Sequence, residues 1–239
     1  MALLEGHKIS KAFGDVQALN QVDFVVEPGT IVGLIGPNGA GKTTLFNAVA
    51  GAFKPTSGKV IFDGADVTGL PANAICRRGM ARTFQVTRPF AAMTCLENVM
   101  VAAINRHPAK PRPFIETFAR EKLGFVGLAE LEGFEARHLN VIQKKRLEMA
   151  RAIATEPKLL MLDEVLGGLN TQEIGQAVDF IRSLRDRLGL TVLWIEHVMG
   201  AVMKAAERVI VLDQGQVLMA GTPAEVVADP RVIHAYLGD

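Results

Sequence analysis

The sequence predicts an α/β protein: a parallel sheet crossed by helices, an antiparallel β portion at the N-terminal side, and a helical subdomain inserted in the middle of the chain. Three observations carry this. Apolar strand-like runs alternate with helical segments in the last third, the pattern of parallel strands joined by crossover helices. Short alternating stretches broken by tight turns precede them. Between the two, Val86 to Thr155 holds no long β-branched run and is rich in Ala, Leu, Met, Glu and Arg, which favour helix.

The elements follow in order. Lys8 to Phe13 and Val22 to Glu27 alternate apolar and polar residues, with Pro28-Gly29 as a turn. Thr30 to Ile35 reads as a buried strand and runs straight into Gly36-Pro37-Asn38-Gly39-Ala40-Gly41. A helix over Lys42 to Ala50 is ended by Gly51, and Val60 to Asp63 is a further strand. In the middle, the three prolines of His107 to Pro113 break the helical pattern. Within Gln143 to Thr155, Leu147, Ala150, Ile153 and Ala154 share one helical face, with Lys144, Lys145 and Arg151 elsewhere. Strands return at Lys158 to Asp163, Thr191 to Glu196 and Arg208 to Asp213, the first two separated by a charged amphipathic helix, Thr171 to Leu188. Gln214-Gly215 turns the chain into Gln216 to Ala220, and Thr222-Pro223-Ala224-Glu225 is a capping box that opens a last helix. No linker divides the chain, so residues 1–239 are expected to form one domain. Its core is 1–85 with 156–239, and its helical subdomain is 86–155.

Composition narrows the functions. Of 239 residues, 49% are hydrophobic and 21% charged, a balance that supports a buried core. A formal net charge of +1 gives no electrostatic footprint for nucleic acid or an anionic membrane surface, and no nucleic-acid partner is expected. Cys76 and Cys95 are too far apart for a CxxC pair and have no histidine cluster nearby; they read as two reduced thiols or as one disulfide. The histidines show no metal-ligand spacing, so no structural metal site is expected. The opening Met-Ala-Leu-Leu-Glu-Gly-His-Lys lacks signal-peptide order, and no apolar run approaches the roughly 18–20 residues that span a bilayer. Any link to a membrane is therefore expected through another protein.

The chemistry concentrates at strand ends. Gly36 to Thr43 matches G-x-x-x-x-G-K-[ST] between a strand and a helix, the context of a phosphate-binding loop. Its glycines bring backbone N–H groups close to phosphate oxygens, and the helix adds its positive end. Lys42 supplies charge for the β- and γ-phosphates, Thr43 a hydroxyl for Mg²⁺, and Thr44 continues the nucleotide-binding turn. The strand Leu159 to Asp163 ends in two acids on the side of a parallel sheet where ligands gather. Asp163 is then placed to hold Mg²⁺ through water, and Glu164 to orient or deprotonate an attacking water. His197, after another strand, either bonds a γ-phosphate or is simply an exposed strand-end histidine.

With these residues in hand, the chain resembles the nucleotide-binding subunits of ABC transporters over essentially its full length. It is most similar to the subfamily serving branched-chain amino-acid uptake. The subfamily features are Arg82-Thr83-Phe84-Gln85, Met93 to Val99, the proline-broken segment between the helices, and the ending Ala235-Tyr236-Leu237-Gly238. The resemblance implies that Gln85 contacts Mg²⁺ and the lytic water and joins the core to the helical insertion. It offers Phe13 as the aromatic that stacks on adenine, where an aromatic on a strand can equally be core. It also implies that Gly168-Leu169-Asn170 touches an opposite subunit. Two such subunits sandwich two ATP molecules, each site joining one subunit's phosphate loop to the other's signature segment, usually Leu-Ser-Gly-Gly-Gln.

Here that segment reads Leu139-Asn140-Val141-Ile142-Gln143. Asn140 keeps a hydrogen-bonding amide and is a good helix N-cap. Val141 falls where the subfamily accepts side chains. Ile142 replaces a glycine with a β-branched residue that crowds phosphate approach. Val165 and Thr171 also stand where relatives usually carry proline. The departure implies an unequal pair, one strong site and one weak, and favours a heterodimer over a homodimer. The function implied is an ATP-binding and ATP-hydrolysing subunit that powers solute transport through a separate membrane permease from the inner face of the membrane. Branched-chain or related amino acids are the expected solutes. The alternatives are a non-transport ABC ATPase and a nucleotide-binding partner with weak hydrolysis.

Overall fold

Four segments dense in Ile, Val, Leu and Met are buried on both faces and form the centre of a parallel sheet, as such runs must when helices cover each side. The computed structural model describes residues 1–85 and 87–237. In chain order its elements are β1 (Leu4–Phe13), β2 (Val16–Val26), β3 (Ile31–Ile35), α1 (Lys42–Val49), β4 (Ser57–Phe62), β5 (Ala65–Asp66), α2 (Ala72–Arg77) and β6 (Met80–Arg82). Then come α3 (Cys95–Arg106), α4 (Arg112–Phe125), α5 (Val141–Ile153), β7 (Leu159–Asp163), α6 (Thr171–Leu188) and β8 (Thr191–Ile195). The chain closes with α7 (Met199–Ala205), β9 (Arg208–Asp213), β10 (Gln216–Gly221), α8 (Pro223–Ala228) and α9 (Pro230–Leu237).

One sheet runs β10-β9-β3-β8-β7-β6, parallel except for β10, which pairs antiparallel with β9. The second, β2-β1-β4-β5, is antiparallel. Period-two alternation divides the central strands between two cores. Val32, Leu34, Met161, Leu193 and Ile195 face α1 and the antiparallel sheet. Ile31, Ile35, Leu160, Leu162 and Trp194 face the helices from the middle of the chain together with α6 and α7.

The α/β class, with its parallel sheet, antiparallel portion and inserted helices, is as expected. The bounds of α6 match, and Thr222 and Glu225 form the expected reciprocal cap of α8. The proline tract separates α3 from α4, with Pro111 as N-cap and Pro113 in the first turn, where a missing N–H breaks no helical bond. Leu147, Ala150, Ile153 and Ala154 are all buried. The first residue of the expected helical insertion, Val86, and the last of the ending motif, Gly238, lie outside the described residues.

Several expectations need correction. β1 begins at Leu4, not Lys8, because its register breaks between Gly6 and Ile9, where Lys8 has a φ of 47°, and this hides the alternation. β2 begins at Val16 rather than Val22. Two helices, not one, follow the last strand. The short β5, α2, β6 and α7 were not anticipated; each is too brief to show a period. Cys76 and Cys95 are both free, which rules out the disulfide alternative, and burial raises both thiol pKa values. Among the described residues, no helix is long and apolar enough to cross a membrane.

Candidate active site

The site is assembled where β3, β7 and β8 end. β3 delivers the chain into the loop 36–41, and the loop's backbone is one that side chains would obstruct. A Cβ on Gly36 would sit 2.1 Å from the carbonyl of Leu212, and Gly41, with a φ of 98°, caps α1 in the left-handed region. The free N–H groups of the first turn of α1 therefore open toward the loop. Lys42 is only 5% exposed and donates from Nζ to the carbonyls of Gly36 at 2.7 Å and Pro37 at 2.9 Å. Burial pulls its pKa down, and the negative charge of Glu164 pulls it back up. The two residues thus share one electrostatic neighbourhood. Ala40 is buried, Pro37 and Thr44 are half-buried, and Asn38, Gly39 and Thr43 are exposed.

β7 supplies both acids. Asp163 is 5% exposed, and its Oδ2 lies 2.6 Å from Nη2 of Arg82 on β6. Arg82 also donates to Oδ1 of Asn47 on α1 at 2.6 Å and lies over the rings of Phe46 and Phe84. A basic side chain from the edge strand thus fixes the carboxylate expected to serve Mg²⁺. Arg82 entered the sequence reading only as part of a motif; its alignment beside Asp163 depends on the pairing of β6 with β7, which no local signal announces.

One residue on, Glu164 has a φ of 47°, a left-handed conformation costing about 1–3 kcal/mol that clusters at functional sites. Its N–H is held by the carbonyl of Ile195 at 3.0 Å. Its two carboxylate oxygens are taken by the two other residues predicted for catalysis. His197 Nε2 lies 2.6 Å from Oε1, and Gln85 donates from Nε2 to Oε2. The structure therefore brings Gln85, Glu164 and His197 together from three separate parts of the chain. Behind them, buried Glu196 accepts from the N–H groups of Leu166 at 2.7 Å and His197 at 3.1 Å, pinning the turns on both sides. Burial raises its pKa. From the sequence alone Glu196 is only the end of a strand.

The remaining candidates make no hydrogen bond to this cluster among the described residues. Phe13 is 50% exposed and packs edge-on against Phe53 at 5.5 Å, with Lys11 Nζ 4.9 Å from both ring centroids. The ring is therefore at the surface and not in the core. Asn140 caps α5 as anticipated: its side chain accepts from Gln143 N–H at 2.9 Å, and the Gln143 side chain accepts from Asn140 N–H at 3.0 Å. Val141 is 64% exposed, whereas Ile142 lines a partly open cleft. No hydrogen bond joins Asn140–Gln143 to the loop 36–43 among the described residues. Asn170 caps α6 in the same reciprocal manner with Glu173.

The cleft, a cavity of about 400 Å³, lies between α5 and α6 and is lined by Phe84, Gln85, Ile142, Lys145, Glu148 and Phe180, among others. Glu148 is buried there, and desolvation raises its pKa to about 7.

Comparison with known proteins agrees with this geometry. A family model described as ABC transporter matches residues 19–167, and a second, Branched-chain amino acid ATP-binding cassette transporter, matches 216–239. BraF of Pseudomonas aeruginosa, a high-affinity branched-chain amino acid transport ATP-binding protein, is 41% identical over 99% of this chain and 98% of its own length. LivG of Escherichia coli K12, with the same description, is 39% identical over 99% and 98%. The solved ADP conformation of MJ1267, an ATP-binding cassette of an ABC transporter, has a TM-score of 0.88 at 30% identity, covering 100% of both chains. A nucleotide loop, paired strand-end acids and relatives matched end to end make this chain a member of the ABC transporter family of ATP-binding cassettes.

Proposed function

We propose that the chain is the ATP-hydrolysing subunit of an uptake system for branched-chain or related amino acids. It acts on the inner face of the cell membrane through separate permease subunits. The convergence of Gln85, Glu164 and His197 beside the phosphate loop carries the hydrolytic part of this reading. The loop N–H groups and Lys42 bind the β- and γ-phosphates. Thr43, Asp163 and Gln85 offer an all-oxygen donor set, and the Nε2 contact of Gln85 with Glu164 leaves its amide oxygen for a cation, a set that suits Mg²⁺. Mg²⁺, when bound, screens the phosphate charge. Glu164 accepts a proton from water as the water oxygen attacks the γ-phosphorus, and the bond to the ADP oxygen breaks. His197 Nε2 meets the Glu164 carboxylate, and that N–H is handed from the carboxylate to a terminal phosphate oxygen when ATP binds. Phe13 stacks on adenine.

The transport part rests on the full-length likeness to BraF and LivG and on the C-terminal match. Reconstituted into vesicles with its permease and binding-protein partners, the chain should support leucine uptake only when ATP is on its own side of the bilayer. ATP turnover indifferent to the permease, with no uptake, would refute the reading.

The second ABC subunit of the assembly is a different chain in this proposal. Asn140 and Ile142 weaken the site they complete, while this chain's own phosphate loop works with a partner's intact signature. Ile142 turns partly into the cavity, so the N–H groups of the α5 first turn are crowded rather than blocked. The double change Asn140→Ser with Ile142→Gly should then raise turnover of the assembled complex roughly two- to fivefold, the equivalent of about one hydrogen bond. An unchanged rate would remove the asymmetry.

A further inference from the structure

We propose that Lys145 and Glu148, one turn apart on α5, are positioning residues for hydrolysis that clasp the two loops carrying Gln85 and Glu164. Lys145 donates from Nζ to the carbonyls of Val165, at 2.9 Å, and Gly167. Glu148 accepts from the N–H of Phe84 through Oε1 at 2.6 Å. Two of these contacts end next to a residue of the hydrolytic group: Val165 follows Glu164, and Phe84 precedes Gln85. Residues three apart on a helix lie on one face, so a single turn of α5 grips both loops at once. Both side chains line the cavity between α5 and α6.

The arrangement is expensive as mere packing. Glu148 Oε2 is buried without a hydrogen-bond partner among the described residues, and the Lys145 ammonium is itself partly desolvated. A leucine or methionine at 148 would fill the same space without burying a carboxylate. What the carboxylate adds is a fixed Phe84 N–H, and hence a fixed start for the Gln85 side chain that meets Glu164. Lys145 fixes the other side of that contact through the carbonyls after Glu164. The helix bearing both residues opens with Asn140–Gln143, so the clasp also ties the signature segment to the hydrolytic pair of its own chain. No hydrogen bond from α5 reaches the phosphate loop among the described residues. Nucleotide binding should therefore be indifferent to the clasp, while the hydrolytic step should not. Neither side chain needs to touch ATP.

This inference rests on the assignment of Gln85 and Glu164 to the hydrolytic step. Its test uses the full chain assembled with its partner subunits, with kcat measured by phosphate release and binding measured with a non-hydrolysable fluorescent ATP analogue. Lys145→Met and Glu148→Ala should each lower kcat roughly five- to tenfold with analogue affinity within about twofold of the parent, whereas Glu148→Gln, which keeps an oxygen acceptor for Phe84 N–H, should stay within about twofold in kcat. Parental kcat in Lys145→Met and Glu148→Ala overturns the clasp, as does a fall in Glu148→Gln as deep as in Glu148→Ala. If Glu148→Ala does not fold, Lys145→Met and Glu148→Gln decide by the same criteria. Glu164→Gln, run in parallel, separates the two levels: parental turnover there removes the underlying assignment, whereas its loss with an intact Lys145→Met removes the clasp alone.

Discussion

Glu164→Gln is expected to lower steady-state ATP turnover by roughly a hundred- to ten-thousandfold, the range over which a positioned general base contributes. The substitution keeps the shape of the side chain and its place after β7, where the backbone is fixed by the Ile195 carbonyl. It removes the group that takes the water proton. The binding elements stay, because the phosphate loop and Lys42 belong to β3 and α1. ATP should therefore bind with near-parental affinity, and the paired cassettes should accumulate closed around unhydrolysed nucleotide. Phosphate-release assays and size-exclusion chromatography with ATP check both halves. Turnover at the parental rate would take the base role from Glu164.

Lys42→Ala should act at the earlier step. The ammonium is almost wholly buried and already desolvated, so its attraction to phosphate oxygens is little screened by water. A charge-assisted hydrogen bond contributes about 1.5–3 kcal/mol, so losing contacts to two phosphates should weaken ATP binding by roughly a hundred- to ten-thousandfold. The change also removes the bonds that draw in the carbonyls of Gly36 and Pro37. Calorimetric titration with ATP measures the loss, and an affinity within about tenfold of the parent would deny Lys42 its role. The two variants divide the site: one binds without turning over, the other fails to bind.

The parts of this site that were legible in the sequence carry their chemistry locally. The loop from Gly36 to Thr43 joins a strand to a helix within a few residues, and Asp163-Glu164 and His197 end apolar strands. Asn140, Asn170 and Thr222 cap helices through residues three positions away, a relation visible along the chain. What stayed hidden depends on strand order or on contacts across the fold. Arg82 reaches Asp163 only because a three-residue edge strand lies beside β7. Glu148 and Lys145 look like ordinary residues of an amphipathic helix until α5 is laid against the loops at 83–85 and 165–167. Phe13 could be read as core until the antiparallel sheet left it at the surface. The short α2 and α7 escaped because one or two turns hold too few residues to display a period.

Trp194 is the only tryptophan of the chain, fully buried on β8 between Gly33 and Leu162, and its Nε1 meets no acceptor among the described residues. Its indole sits among apolar core residues, so fluorescence excited selectively at tryptophan comes from one chromophore at the sheet's centre and should be blue-shifted. Red-shifted emission on heating would then report the opening of that sheet, giving an optical readout of integrity without any added label.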